Sequence, residues 1–339
     1  IPIIIDHKDI IGCAQTGTGK SAAFCIPMLM RLMKLPQKSA LILVPTRELA
    51  MQIQDVLLKL TLRMPEIKLA LLIGGMKIEP QIRSLSKKPR VIVATPGRLI
   101  DHLRRRTIYL NSTEILVLDE ADRMLDMGFE PQLNQILEFL PKKRQTLMFA
   151  ATFPPEIEKL AHRYLENPAR VTVGQISKPI SKINQTVVET THKTKNNALM
   201  DEINAREGSV LIFTRTKHRT DRLAKYLEEY GYSVGKIHGN RSQAQRIAAI
   251  KGFRSGSMRI LVATDIAARG LDIPQISLVV NYDLPQAPED YIHRIGRTAR
   301  AGAEGEAICF LLPEEKKQWT RISRAIRCEA PVMQFVEQP

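Results

Sequence analysis

The sequence predicts an α/β fold of two tandem domains, each a mostly parallel sheet flanked by helices, and three observations carry that expectation. The chain has 339 residues, more than a single hydrophobic core usually organises. Short β-branched runs alternate with helical stretches, and the alternation pauses at a polar segment before restarting. One pattern occurs twice, as Val91-Ile92-Val93-Ala94-Thr95 and as Ile260-Leu261-Val262-Ala263-Thr264.

In chain order, the expected strands of the first domain are 41–44, 69–73, 91–93, 115–118, 146–149 and 171–173. The stretches between them have room for helices, which is the βαβ signature of a parallel sheet. The polar segment 174–183 is expected to link domains 1–173 and 184–339. The second series runs 185–188, 210–213, 234–237, 260–262, 278–280 and 307–311. The repeated Ala-Thr ending should present loops at equivalent sheet edges, where open α/β sheets bind ligands.

Hydrophobic residues make up 44% and charged residues 25% of the chain, which excludes a disordered polypeptide. The longest apolar runs are too short to cross a bilayer and no secretory signal opens the chain, so a cytoplasmic protein is expected. Cys13, Cys25, Cys309 and Cys328 form no C-x-x-C pair or zinc-type cluster and read as reduced core thiols. Fifty Lys and Arg against thirty-five Asp and Glu give a charge of +15, which attracts a polyanion. A basic surface that only aids solubility accounts for the charge equally well. With one Trp, base stacking should not dominate any nucleic-acid contact.

Ala14-Gln15-Thr16-Gly17-Thr18-Gly19-Lys20-Ser21 lacks the first glycine of the P-loop pattern but keeps Gly-Lys-Ser ahead of a helical run. Such glycines let backbone N–H groups and a helix N-terminus face an anion. Thr16, Gly17, Thr18, Gly19, Lys20 and Ser21 are therefore nucleotide-binding candidates, with Lys20 on the β- and γ-phosphates and the Ser21 hydroxyl on Mg²⁺. Asp119-Glu120-Ala121-Asp122 follows the apolar run Ile115-Leu116-Val117-Leu118. Asp119 is suited to hold Mg²⁺ through water and Glu120 to orient or deprotonate an attacking water. The alternative is an acidic helix N-cap.

Asp119-Glu120-Ala121-Asp122 spells the signature of the DEAD-box family of ATP-dependent RNA helicases, and the resemblance extends in order over about residues 8–327. Pro45-Thr46-Arg47-Glu48-Leu49-Ala50, Gly74-Gly75 and Thr95-Pro96-Gly97-Arg98 resemble the family's RNA-contacting elements in its first domain. Leu211-Ile212-Phe213-Thr214-Arg215-Thr216, 243–246, 263–272 and His293-Arg294-Ile295-Gly296-Arg297-Thr298-Ala299-Arg300 resemble the second-domain set. The heptad Arg123-Met124-Leu125-Asp126-Met127-Gly128-Phe129 is similar to the bacterial RhlE-type subgroup.

The resemblance implies two RecA-like domains with the active site in the cleft between them. It implies that Lys20, Asp119 and Glu120 act with arginine fingers Arg297 and Arg300, and that Gly270 and Asp272 contact phosphate and ribose. Asp122, Ala150, Thr152 and His293 would couple the domains. RNA would be held through its backbone, with little sequence preference, by Arg47, Gly75, Thr95, Arg98, Arg215, Gly239, Arg246 and Thr264. For Asp265 and Arg269, ligand contact and scaffold both stay open.

Three departures from the family pattern stand out. An N-terminal aromatic and glutamine element that recognises adenine is missing, so the sequence reads as a truncated fragment. Ala150-Ala151-Thr152 stands where Ser-Ala-Thr is usual, removing a hydroxyl. Ala299 stands where many members have Gly, expected to be mild because Ala is small. The expected function is an ATP- and Mg²⁺-dependent RNA helicase, monomeric, that grips and locally unwinds RNA. An RNA-stimulated ATPase or ATP-dependent clamp with poor unwinding is the alternative. A DNA helicase fits the ordered motifs less well, and a dead ATPase fold is opposed by Lys20, Asp119, Glu120, Arg297 and Arg300.

Overall fold

Strands covered on both faces read as unbroken apolar runs, and the runs of this sequence become parallel strands. The structure, a computed structural model, describes all residues except 15–18, 151–152, 154, 174–182, 269–275, 300–303, 327–329 and 336–339. The chain divides into two units, Ile1–Gly174 and Gln175–Pro339. The first holds β1 (Ile10–Ala14), β2 (Ser39–Leu43), β3 (Leu69–Leu72), β4 (Val91–Ala94), β5 (Thr113–Leu118), β6 (Gln145–Ala150) and β7 (Ala169–Val173), in the order β3-β4-β2-β5-β6-β1-β7.

The second holds β8 (Ile183–Glu189), β9 (Val210–Thr214), β10 (Val234–Ile237), β11 (Ile260–Thr264), β12 (Leu278–Asn281), β13 (Gly305–Leu311) and β14 (Val332–Gln334), ordered β10-β11-β9-β12-β13-β8-β14. Subtracting seven from each number reproduces the order of the first sheet. The repeated Ala-Thr pattern thus lies on the fourth strand of each unit, at equivalent places. All described pairings are parallel.

Period-two alternation divides each sheet between two cores. Leu41 and Leu43 pack with Ile100 and Leu133 on one face, while Ala40 and Ile42 pack with Phe24 and Leu57 on the other. In the second unit Leu211 and Phe213 join Tyr291 and Trp319, and Val210 and Ile212 join Leu223 and Leu227. The single Trp is packed edge-on to Tyr291 rather than presented to a base.

Helix starts repeat as well. The Thr46 hydroxyl accepts from Leu49 N–H to cap Arg47–Leu60, and Thr216 accepts from Arg219 N–H to cap Lys217–Glu229. The first follows β2 and the second follows β9, its counterpart.

Two strands escape the apolar-run reading. β1 is interrupted by Gly12, where a side chain would collide with the Phe149 ring. It pairs with β6 and β7, and Asp9 just before it fastens the neighbouring segments, its carboxylate accepting from Thr146 N–H and Glu166 N–H, both at 2.7 Å. β14 is three exposed residues whose strand character comes from pairing with β8. Ile183, assigned to the linker from sequence, is the first residue of β8 and pairs with Gly305.

Cys25 and Cys309 are buried and not in a disulfide, and burial pushes the Cys25 thiol pKa up to about 12. Cys13 is half-buried and not in a disulfide, and Cys328 lies outside the described residues. Among the described residues no helix is long and apolar enough to cross a membrane.

Candidate nucleotide and RNA sites

Because each sheet is wholly parallel among its described pairings, the loops after its strands gather along one edge. In the first unit β6 lies between β1 and β5. Gly19 follows the P-loop segment at φ 81°, a left-handed conformation that glycine tolerates, and Lys20 opens the helix Lys20–Lys34. Across the end of β6, Lys20 Nζ meets Asp119 Oδ1 at 2.8 Å, with the side chains 8% and 1% exposed.

Burial works to lower the Lys20 pKa, but the charge of Asp119, then that of Glu120, outweighs it and holds the ammonium protonated. Burial raises the Asp119 pKa against the opposing pull of Lys20. Ser21 is the second residue of the helix and half-buried. Thr16, Gly17, Thr18 and Thr152 lie outside the described residues.

Glu120 occupies the N-cap position of the helix Ala121–Asp126, at φ 55° and ψ 50°, but its side chain makes no capping bond. The acidic-cap alternative therefore does not account for its carboxylate. Glu120 Oε2 instead accepts from Arg123 Nη1 at 2.7 Å. A non-glycine residue held in this region stores strain of a kind common at functional sites. Asp122 is buried and accepts from Arg123 N–H, and Ala150 closes β6, fully buried.

The RNA candidates of this unit follow β2, β3 and β4, the adjacent strands at the other end of the sheet. The Arg47 guanidinium lies against Gly74 and Gly75. Gly75 has φ 73°, and a Cβ there would run into the guanidinium. Arg98 Nη1 donates to the Met76 carbonyl at 3.0 Å, tying the helix Pro96–Arg104 to the glycine turn. Thr95 is that helix's N-cap residue and is buried, without a side-chain capping bond.

A second tie was not legible in sequence. Gln81 Nε2 donates to the Ile73 carbonyl, while its Oε1 faces His102 Nε2 at 3.4 Å. Burial, then the Arg98 charge, depress the His102 pKa, and Thr107 Oγ1 sits 2.8 Å from Nδ1.

In the second unit Arg215 follows β9, Gly239 follows β10 and Thr264 ends β11. These strands are the counterparts of β2, β3 and β4, so the two RNA sets occupy equivalent edges of equivalent sheets. Buried Asp283 organises this edge: it accepts from Arg215 N–H at 2.8 Å and pairs with Arg219 at 3.0 Å. Lys195 Nζ lies 3.7 Å from the same carboxylate, its pKa lowered by burial against the pull of Asp283. Arg215 also reaches Glu315 at 3.1 Å. Arg246 donates to the Ala267 carbonyl at 3.4 Å. A Cβ on Gly239 would meet nothing within 4 Å, so packing within the unit does not require glycine there.

The arginine-rich segment does not form one solvated face. Arg294 lies in the helix Pro288–Ile295 and is 2% exposed. Its Nε and Nη2 donate to the two Asp265 oxygens at 2.5 and 2.7 Å. Its Nη1 donates to Asn281 Oδ1 at 3.0 Å and the Asp283 carbonyl at 2.5 Å. Asp265 is thereby tied to Arg294 within the second unit, which supports the scaffold reading of the two left open from sequence.

Arg297 lies beyond the helix end, 4% exposed, its Nε donating to the His293 carbonyl at 3.3 Å. Ala299 has φ 54°, so replacing glycine there costs backbone strain, and small size does not make the change mild. Arg269, Gly270, Asp272 and Arg300 lie outside the described residues.

Residues 1–160 match the DEAD/DEAH box helicase family and residues 194–302 the helicase conserved C-terminal domain. The chain is 47% identical to the ATP-dependent rRNA helicase rrp3 of Aspergillus terreus, over 96% of this chain and 74% of that protein. It is 43% identical to the DEAD-box ATP-dependent RNA helicase CshA of Bacillus subtilis, over 96% of this chain and 66% of that one. The chain thus spans about two thirds to three quarters of the length of these relatives. Among solved structures, S. cerevisiae Dbp5 bound to RNA and ADP BeF3 aligns with TM-score 0.84 at 32% identity, covering 96% of this chain and 85% of that one.

The chain belongs to the DEAD-box family of ATP-dependent RNA helicases, and its two parallel sheets are the tandem RecA-like domains of that family.

Proposed function

We propose that the chain binds ATP with Mg²⁺ at the β1/β5 edge of its first sheet and uses hydrolysis to grip and locally separate RNA. The observation that carries this reading is the buried Lys20–Asp119 pair at 2.8 Å, with Glu120 as the next residue. In the structure Lys20 supplies the charge that a buried Asp119 needs. With ATP bound, Lys20 turns to the β- and γ-phosphates, and Asp119 then needs another cation.

Asp119 and the Ser21 hydroxyl fit Mg²⁺, which takes few protein ligands and keeps waters and phosphate oxygens. Among the described residues no cluster of three His, Cys, Asp or Glu competes for a metal. Bound there, Mg²⁺ neutralises charge on the phosphates. Glu120 takes the proton of the attacking water as the water oxygen bonds to the γ-phosphorus and the bonding pair departs onto the β-phosphate oxygen. Arg297 and Arg300 are proposed as the fingers, Gly270 and Asp272 as further nucleotide contacts, and Asp122, Ala150, Thr152 and His293 as coupling residues.

RNA is proposed to lie along the equivalent edges carrying Arg47, Gly75, Thr95 and Arg98, and Arg215, Gly239, Arg246 and Thr264. The relatives reported above are named RNA helicases, and the candidate contacts are cations and glycine-bearing loops suited to a backbone rather than to bases. A monomeric, cytoplasmic protein belongs to the same reading, as does a RhlE-type affiliation, which only the 123–129 stretch supports. The buried methyl of Ala150 favours a second reading, an RNA-stimulated ATPase with poor strand separation.

The test is ATP turnover with RNA, with DNA and with neither, in the wild type, Lys20→Ala and Glu120→Gln. Both variants should lose turnover, but only Lys20→Ala should lose ATP affinity. Equal loss of affinity in the two would refute the assigned roles, and equal stimulation by DNA would refute the substrate.

A further inference from the structure

Each carboxylate that opens the acidic signature has its own buried cation: Lys20 on Asp119 and Arg123 on Glu120. The mechanism above gives Lys20 a destination on the phosphates and leaves Arg123 without a role. We propose that Arg123 is a positioning residue that restrains Glu120, and that hydrolysis requires the Arg123–Glu120 bond to open. The proposal rests on Glu120 being the group that takes the proton from water.

The geometry supports a restraint over a surface ion pair. The two side chains are each 5% exposed and meet at 2.7 Å, so water does not compete for the bond. They stand three residues apart, Glu120 at the N-cap position and Arg123 within the short helix Ala121–Asp126. The Arg123 backbone is fastened too, its N–H donating to Asp122 Oδ1 at 3.0 Å. Glu120 in turn is confined to a left-handed backbone conformation. A carboxylate oxygen that accepts a charge-assisted hydrogen bond has that lone pair engaged and must exchange its partner before it can receive a water proton. With the Arg123 bond in place Glu120 Oε2 is occupied, and exchanging the Arg123 N–H for the O–H of water is a step that ligand binding must drive.

The experiment measures ATP turnover in Arg123→Gln, Arg123→Lys and the wild type, without RNA and with a saturating single-stranded homopolymer RNA. Loss of a charge-assisted bond that opposes the reaction should raise the RNA-free kcat of Arg123→Gln about tenfold. KM for ATP should stay within about twofold, since no contact to the nucleotide is lost. The rate at saturating RNA should change little, so the stimulation ratio falls, with Arg123→Lys between the two.

A merely structural Arg123 would instead lower both rates by a common factor, and that result, or an unchanged RNA-free kcat, overturns the proposal. Should Arg123→Gln fail to fold, Arg123→Lys decides alone: an RNA-free rate at or below wild type is disproof. Glu120→Gln, assayed in parallel, separates the two layers. If it turns over normally, the reading of Glu120 fails. If it is inactive while Arg123→Gln is no faster, only the restraint fails.

Discussion

Arg294→Met tests whether the first arginine of the His293–Arg300 segment is scaffold or ligand contact. Methionine keeps much of the volume but removes the guanidinium that joins Asp265, Asn281 and the Asp283 carbonyl and that lies 5.1 Å from the centre of the Phe213 ring. Asn281 is 0% exposed, so it loses a partner that water does not replace, while Asp265 is 25% exposed and recovers some hydration. Breaking a buried pair by removing one partner costs about 3–5 kcal/mol, and the exposure of Asp265 places this variant near the lower end.

For a unit of this size, ~2–4 °C per kcal/mol makes ~3 kcal/mol equivalent to a fall of roughly 6–12 °C in the melting temperature of the second unit. Calorimetry of the full chain, with hydrogen exchange at β9 and β12 compared with β2 and β5, localises the loss. Protection should drop in the second sheet and persist in the first. A variant that melts within about 2 °C of wild type yet loses ATP turnover would refute the scaffold assignment and return Arg294 to the nucleotide.

His102 is buried with a depressed pKa, so the unfolded chain takes up its proton first as pH falls. Its contribution is complete above the unfolded value near 6.5 and is lost below it, by at most about 1.4 kcal/mol per pH unit. His102→Gln should flatten the urea-unfolding stability profile between pH 7 and 5.5, and an unchanged slope would refute this. Ala299→Gly should relieve left-handed strain worth about 1 kcal/mol and raise the melting temperature of the second unit by ~2–4 °C; a lower value would show that the strain is illusory. Gly75→Ala, which drives a methyl into the Arg47 guanidinium, should weaken RNA binding alike across sequences and leave ATP affinity without RNA unchanged. Ala150→Ser should raise strand separation per ATP if a hydroxyl at the end of β6 couples the domains, and an identical ratio would exclude that role.

The sequence by itself determined the α/β class and the duplication, and it named the residues of the proposed phosphate edge. These are local properties: Gly-Lys-Ser shapes a turn within a few residues, an acidic tetrad ends an apolar strand, and double-sided burial appears as an apolar run of strand length. The repeated Ala-Thr ending even marked equivalent strands, because β4 and β11 terminate the same way at the same place in the sheet.

Tertiary structure alone decided the environment of each charge. Arg294 and Arg297 look alike along the chain, yet Arg294 is spoken for by Asp265, twenty-nine residues distant, which stands at the end of β11 beside it. Arg123 appeared as a subgroup marker until its guanidinium was placed on Glu120. β1 was invisible because Gly12 breaks its short apolar run, and β14 because pairing with the edge of β8, not apolar content, makes it a strand. Ala299 looked harmless because a one-letter code carries side-chain size and no φ. The division has one physical cause: motifs encode backbone geometry over a few neighbouring residues, whereas burial and pairing of charge depend on what the fold brings together from far along the chain.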